Sequence, residues 1–261
     1  MAAFLRKLLR GFIIVILAGA IVSCGGQPED DLDPKAVIPP GMSISDVAGV
    51  EGSTLIFTVQ VAYPKDVDIT VDYTTSGSSA ASGVDFTSTS GTLTIPPAAT
   101  SANITVATTA DILDENDEAF SVNLSNPVNA EITDSSAVGS IIDDDPLPSL
   151  FIDPFVLITE GQTATLTISI SEVSGRDVNF SYATSNGTAV SGSDFQALSG
   201  SAVIPQGSLS TTLSFVSVDD LVPEAQESAS VVLSGLSNVS AGLLTMAVTI
   251  NDDDAGANPF A

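Results

Sequence analysis

The feature that most constrains the fold is an internal repeat whose equivalent residues lie 109 positions apart. The offset stays constant from the first matched position to the last, with no gap. Self-similarity at a fixed period indicates two copies of one folding unit, and 261 residues suffice for two small domains. The matched pairs include Tyr73 with Tyr182, Gly83 with Gly192, Phe86 with Phe195, Gly91 with Gly200 and Ile95 with Ile204.

Within each copy, apolar and polar residues alternate, as at Leu55, Phe57, Val59 and Val61. Thr-rich runs of period two, bounded by turn residues, predict antiparallel strands. The predicted strands of copy one are Met42–Ser45, Thr54–Ala62, Val67–Thr74, Gly91–Ile95, Ala102–Thr108, Ala119–Ser125 and Ala137–Ile142. Seven short strands in about 100 residues are typical of an immunoglobulin-like fold. The sequence therefore predicts an all-β chain of two tandem immunoglobulin-like antiparallel β-sandwiches.

Composition and spacing divide the chain into six predicted segments. These are a signal peptide at 1–23, an acidic Pro-containing tether at 24–40, domain 1 at 41–145, a Pro linker at 146–148, domain 2 at 149–254 and a C-terminal tail at 255–261. The prolines of the linker restrict its backbone, so we expect a short, stiff connection between the domains.

The N-terminus has the layout of a secretory signal. Arg6, Lys7 and Arg10 precede an apolar run at 12–22, which is too short for a comfortable membrane span. Residues 21–24, Ile-Val-Ser-Cys, resemble the bacterial lipobox, which implies cleavage before Cys24 and its acylation; an uncleaved signal anchor is the alternative. Several acyl chains anchor a protein stably. We therefore expect an exported protein held on the cell envelope through acylated Cys24. Gly25 favours the outer membrane if the cell is diderm.

The charge balance limits the classes of partner and of chemistry. The chain has 32 acidic and 6 basic residues, for a net charge of −26. Such a surface repels nucleic acid and attracts cations. The chain has no His, which removes the commonest general base and the commonest transition-metal ligand. The enzyme alternative is a hydrolase that uses paired carboxylates. We expect the acids to lie at a tip, and the chain has few aromatic residues that could line a substrate cleft beside them. We therefore predict that the protein is not an enzyme.

If each strand reverses the direction of the one before it, every second connection lies at the same end of the sandwich, a rule that we call strand parity. The acids of each copy collect in connections that this rule places at one end. Acids in loops are commonly explained by solubility, but solubility does not explain their segregation to one end. Ca²⁺ takes six to eight oxygen ligands, and four converging segments can supply them. An EF-hand does not fit, and Mg²⁺ is the weaker alternative because it prefers few carboxylates and many waters. In copy one, strand parity also places Asp114 and Asp117 at this end. The candidate metal ligands are Glu51, Asp85, Asp111, Glu115, Glu118, Asp143, Asp144 and Asp145 in copy one, and Glu160, Asp194, Asp219, Asp220, Glu224, Glu227, Asp252, Asp253 and Asp254 in copy two.

Each copy resembles a Calx-beta domain, and the resemblance covers about residues 42–254. The residues that carry it in copy one are 50–52, 83–86, 111–120 and 141–145, and in copy two 159–161, 187–195, 218–227 and 250–254. The resemblance implies Ca²⁺ at the acids of these motifs. Ala110 stands where copy two has Asp219, so the first site is expected to bind more weakly.

These features predict a membrane-anchored, exported surface or envelope protein. In this hypothesis calcium rigidifies the tandem sandwiches for adhesion, with a surface or matrix protein or a glycan as the partner. The alternative is a structural spacer lipoprotein without a functional metal site.

Overall fold

The computed structural model describes residues 38–254, which form strands, turns and loops. The first nine strands are β1 (Gly41–Ile44), β2 (Val47–Val50), β3 (Thr54–Val61), β4 (Ile69–Gly77), β5 (Ser90–Ile95), β6 (Ser101–Ala107), β7 (Glu118–Val128), β8 (Glu131–Ile132) and β9 (Ser136–Ile142). The next nine are β10 (Ser149–Ile152), β11 (Phe155–Thr159), β12 (Thr163–Ile170), β13 (Val178–Asn186), β14 (Ser199–Ile204), β15 (Ser210–Val216), β16 (Glu227–Ser237), β17 (Ser240–Ala241) and β18 (Thr245–Asn251).

Each half forms one sandwich of a four-stranded and a five-stranded sheet. In domain 1 the sheets have the orders β6-β3-β1-β8 and β2-β9-β7-β4-β5. In domain 2 they have the orders β15-β12-β10-β17 and β11-β18-β16-β13-β14. The two halves repeat the same topology, and the prediction of an all-β chain of two tandem sandwiches is confirmed.

The alternating residues build a separate core in each sandwich. Strand β3 buries every second side chain, including Leu55, Phe57 and Val59. Phe120 packs edge-on against Phe57 and stacks on Phe86, with centroid distances of 5.8 and 4.4 Å. Burying one such side chain contributes about 1.5–3 kcal/mol. The apolar pattern therefore accounts for both the strands and their packing.

The prediction of seven strands per copy was too low, since each sandwich has nine. The first predicted strand continues into a second one, because the chain moves from β1 in one sheet to β2 in the other. Asp46 lies at this crossing, and its Oδ1 accepts a hydrogen bond from the backbone N–H of Val138 at 2.8 Å. The added pairings β2 with β9 and β1 with β8 are parallel, which an expectation of strict antiparallel reversal misses.

Several predictions concern parts of the chain that lie outside the described residues. These are the signal peptide, the acylation of Cys24, the tether up to residue 37 and the C-terminal tail. Between residues 38 and 254, no helix has the length and apolar character needed to cross a membrane.

Candidate metal centres

Four segments of domain 1 meet at one end of the sandwich, which we call the first acidic tip. The turn after β2, the connections from β4 to β5 and from β6 to β7, and the chain after β9 all reach this end, where they line one small cavity. The first acidic tip consists of Glu51, Asp85, Asp111, Glu115, Glu118, Asp143 and Asp145. These acids lie together as strand parity predicts, while their role as ligands stays a prediction.

Three carboxylates form the centre of the first acidic tip. One oxygen each from Glu51, Asp143 and Asp145 lies within 4.8 Å of the others. Glu51 Oε1 accepts a hydrogen bond from the backbone N–H of Asp111 at 3.0 Å, and Asp143 Oδ1 accepts one from that of Glu115 at 3.1 Å. These bonds tie the β6–β7 connection to the ends of β2 and β9. They hold like charges close together despite their mutual repulsion.

The second acidic tip repeats this arrangement in domain 2 with more close carboxylate groups. It consists of Glu160, Asp194, Asp219, Asp220, Glu224, Glu227, Asp252, Asp253 and Asp254. Three groups have ligand atoms within 4.8 Å of one another: Glu160 with Asp219 and Asp253, Glu160 with Asp220 and Asp254, and Asp194 with Glu224 and Glu227. The Glu224 N–H donates to Asp252 Oδ2 at 3.2 Å, as Glu115 does to Asp143 in domain 1.

The two tips differ in ways that the repeat alone does not show. Asp144 is exposed and belongs to none of the close groups of the described residues, whereas its equivalent Asp253 belongs to one. A Cβ added at Gly52 would lie 2.7 Å from the Ala110 Cβ, and one at Gly161 would lie 3.0 Å from the Asp219 Cβ. Ala110 and Asp219 therefore occupy the same place, and the first tip has one carboxylate fewer there.

The local sequence before β5 explains how Asp85 reaches the tip. Gly83 has a φ of +84°, a left-handed conformation that glycine adopts without a Cβ penalty. In the tight turn that follows, Asp85 Oδ2 accepts a hydrogen bond from the Ala81 N–H at 2.6 Å. The next side chain, Phe86, is fully buried. The anchored ring directs its neighbour Asp85 to the end of the sandwich, and the same turn and bond recur in domain 2.

Three buried carboxylate oxygens have no hydrogen-bond partner within the described residues. They are Oδ2 of Asp145, Oε2 of Glu160 and Oδ2 of Asp254. Glu160 is only 7% exposed, and an unsatisfied buried polar group costs about 1–3 kcal/mol, and more if it is charged. A cation would supply the missing partner. Because the ligand atoms are all carboxylate oxygens, the residues fit a hard divalent cation rather than a soft metal.

Burial and crowding raise the pKa values of several tip carboxyls. Burial, followed by the charges of Asp252, Asp220, Glu224 and Asp254, raises the pKa of Glu160 to about 7. Burial, and then a hydrogen bond and charge repulsion from Asp85, raise the pKa of Glu118 to about 7 as well. The same burial and crowding of carboxylates that raise these pKa values would be offset by a bound cation.

The metal-free chain is expected to lose stability as the pH rises from 4.5, the ordinary pKa of Glu160, to about 7, its pKa in the fold. Over this range the unfolded chain releases the proton while the folded chain retains it, so deprotonation favours unfolding. Thermal unfolding in chelator at a series of pH values measures the effect. Glu160→Gln, which stays neutral, is expected to raise the unfolding temperature of the metal-free chain at pH values above 7. A lower unfolding temperature would contradict the assignment.

An ion pair between the domains was not predicted from the sequence. Arg176, in the β12–β13 connection, donates from Nε to Asp114 Oδ2 at 3.1 Å and forms a second contact from its terminal nitrogen to Oδ1. Ser174 Oγ donates to Asp114 Oδ2 at 3.1 Å, and the Gly175 N–H donates to the Asp114 carbonyl at 3.0 Å. The Asp114 side chain is 3% exposed. We call these four residues the interdomain clamp.

The residues of the interdomain clamp differ between the two copies, so the repeat could not reveal the contact. Pro223 stands in domain 2 where domain 1 has Asp114, and Val67 stands in domain 1 where domain 2 has Arg176. Lys65 and Arg176 are the only basic residues between positions 38 and 254. The small number of basic residues was the one feature of the sequence that could have indicated a pairing role for Arg176.

The known proteins and domain profiles to which this chain is similar share one kind of domain. The profile described as the Calx-beta domain matches residues 45–146 and 143–254. Among solved structures, CBD12 from CALX1.2 is 20% identical with a TM-score of 0.40, and the alignment covers 80% of this chain and 98% of that chain. The calcium binding domain CBD12 of CALX1.1 has the same identity, TM-score and coverage of this chain, with 99% of that chain covered. The apo form of the Calx CBD1 domain is 22% identical with a TM-score of 0.36, over 41% of this chain and 99% of that chain. No curated protein matches the chain significantly.

Proposed function

Because this chain belongs to the Calx-beta family, we propose that each acidic tip binds Ca²⁺ and that the bound ions stiffen a tandem surface module. The proposal rests on the burial and the incomplete hydrogen bonding of Glu160. Its side chain is buried, and its Oε2 lacks a hydrogen-bond partner among the described residues. It also shares two close groups with acids from two other segments of domain 2. Such a residue destabilises the fold unless a cation accompanies it.

The number of acids favours Ca²⁺ over Mg²⁺ as the ion. Ca²⁺ accepts six to eight oxygens at about 2.3–2.6 Å in flexible geometry and tolerates bidentate carboxylates. Mg²⁺ requires near-ideal octahedral geometry and usually retains several waters. Glu160, Asp220 and Asp254 together offer up to six carboxylate oxygens, and Asp219 and Asp253 lie beside them. This excess of protein oxygens suits the larger ion.

The proposed role is binding and mechanical support rather than catalysis. The whole chain has no His, and most acids of the two sandwiches lie in the two acidic tips. We further propose that the protein is exported, is anchored in the cell envelope through acylated Cys24, and serves adhesion to a surface or matrix protein or a glycan. The lipobox resemblance of residues 21–24 supports this placement. Weak sites with Kd of about 10⁻⁴–10⁻³ M suffice for extracellular calcium.

One observation favours the alternative of a spacer without a functional metal site. The interdomain clamp joins the two sandwiches through protein atoms alone. Such a tandem would keep some rigidity without any ion. The two candidate functions therefore differ in whether calcium changes the shape and stability of the chain.

Calorimetric titration of calcium into the chelator-stripped full chain is expected to show binding at both tips, with the second tip tighter. Glu160→Gln removes a charged ligand from the second tip and is expected to weaken that site by about tenfold or more. Glu51→Gln is the matched change in domain 1 and should leave the tighter site intact. A chain that gives no binding heat up to about 10 mM, ten times the weakest Kd expected for extracellular modules, would disprove the calcium proposal and leave the spacer.

A further inference from the structure

The outer edge of β11 is unlike the equivalent edge in domain 1. Strand β11 is the last strand of its five-stranded sheet, and it pairs only with β18 among the described strands. Two of its large apolar side chains point away from the core: Phe155 is 70% exposed and Leu157 is 58% exposed. Their neighbours Val156 and Ile158 point inward and pack in the core. An edge strand with exposed apolar side chains is a surface that proteins normally protect.

The repeat provides an internal comparison for this edge. Strand register makes Val156 equivalent to Val47, because Val156 pairs with Val248 and Val47 pairs with Gly139. Phe155 and Leu157 are therefore equivalent to Asp46 and Ala48. In the other sheet of each sandwich, the pairing of β10 matches exposed Phe151 with Ser43, at an offset of 108 rather than 109 because domain 2 has one more residue between the matched positions of its first two strands. The pairing of β17 matches exposed Leu243 with Asp134. Domain 2 thus has large apolar residues at four positions where domain 1 is small or polar, so the fold itself does not require them.

The backbone of β11 is oriented to accept another strand. The Glu160 N–H donates to the Asn251 carbonyl at 3.0 Å, and the Pro154 carbonyl accepts from Ala247 N–H at 2.9 Å. Even-numbered residues of this segment therefore turn their backbone groups toward β18. Because these directions alternate along a strand, Phe155 and Leu157 turn their N–H and C=O groups to the free edge. Two apolar side chains thus stand beside unpaired ladder positions.

Charge determines what kind of segment suits this edge. The uncharged strand lies between Asp153 and Glu160, and the second acidic tip adds Asp252, Asp253 and Asp254 beside its end. A second copy would bring its own charge of −26, and antiparallel pairing of two β11 strands would place the Asp153 of each near the Glu160 of the other. A segment with basic ends has the complementary charge.

We propose that the outer edge of β11 docks an extended segment of a basic protein, which adds to the five-stranded sheet as a further strand beside Phe155 and Leu157. Backbone hydrogen bonds to these two residues provide the pairing, as in other cases of strand addition. Apolar side chains at alternate positions of the partner pack on the two exposed side chains. A Lys or Arg at the end of the segment lies near the exposed Asp153. This surface needs no bound ion and is separate from the proposed calcium function.

The test uses the full chain and a fluorescent nine-residue peptide in which Val alternates with Thr and each end carries Lys. Fluorescence anisotropy in chelator and in calcium measures its binding, and we expect binding in both. Replacing the terminal Lys by Glu, or the central Val by Pro, which cannot complete the ladder, is expected to weaken binding by about tenfold or more. Amide exchange at Phe155 and Leu157 is expected to slow when the peptide is bound.

The matched variants exchange the edge residues between the two domains. Phe155→Asp with Leu157→Ala gives β11 the residues that domain 1 already has and is expected to weaken peptide binding by about tenfold or more. In domain 1, Ala48→Leu is the exchange that leaves the hydrogen bond from Val138 to Asp46 intact, and it is expected to strengthen peptide binding at that edge. Unchanged binding by the first variant, or unprotected amides at Phe155 and Leu157 in the wild type with peptide, would overturn the proposal. So would self-association of the wild type that the first variant abolishes, because a second copy would then be the occupant.

Discussion

Saturating calcium is expected to raise the unfolding temperature of the full chain by about 10 °C or more at neutral pH. At about one hundred times Kd, one bound ion adds about 2.7 kcal/mol of stability, and 1 kcal/mol shifts the unfolding temperature of a domain of about 100 residues by about 4–8 °C. The ion also relieves repulsion at Glu160, whose pKa is about 7, and supplies the missing partner of its Oε2. Scanning calorimetry in calcium and in chelator measures the shift.

Two controls separate specific binding from charge screening. Magnesium at the same concentration and sodium chloride at the same ionic strength reproduce the screening, and both are expected to give a much smaller shift. Glu160→Gln is expected to lower the calcium-dependent shift of domain 2 while raising the stability of the metal-free chain, so the sign of its effect depends on calcium. Equal shifts in calcium and magnesium would contradict the calcium proposal. The same sign for Glu160→Gln in both conditions would show that Glu160 is no ligand.

Arg176→Ala is expected to undock the two domains without unfolding either one. The variant leaves the buried carboxylate of Asp114 without its charged partner, and breaking a buried pair in this way costs about 3–5 kcal/mol. Separation of the domains returns Asp114 to water and avoids that cost. We expect small-angle scattering from the variant to show a larger radius of gyration and a broader distribution of shapes than wild type. Each domain should keep its own thermal transition.

Matched variants test the chemistry of the interdomain clamp. Arg176→Lys retains the charge but loses the planar fork that contacts both Asp114 oxygens, so an intermediate effect is expected. Asp114→Asn combined with Arg176→Ala removes the unpaired charge and is expected to recover part of the docking. Scattering profiles in calcium and in chelator are also expected to differ, since Asp143 and Asp145 lie directly before the linker. If Arg176→Ala leaves the wild-type profile unchanged, the clamp does not hold the domains together.

The arrangement of the candidate ligands was only partly accessible from the sequence. Strand parity predicted that Glu51 and Asp143 meet, because the end at which a loop lies depends only on counting reversals. Their close approach to Asp145 depends on the directions of the side chains after β9. The same directions leave exposed Asp144 outside the close groups of the described residues. No local pattern distinguishes three consecutive aspartates by where they point.

The amino-acid sequence alone determined the repeat, the all-β class and the ends at which the acids lie, because period two, turn residues and the repeat offset are all read directly from residue order. Only the tertiary structure decided that Asp114 pairs with Arg176 and that Phe155 is exposed. It also decided that Glu160 is buried with an oxygen that no residue between 38 and 254 partners. Asp114 and Arg176 lie 62 residues apart, and their contact depends on how one sandwich is seated on the other. Burial and pairing over such distances arise from packing, which residue order does not display.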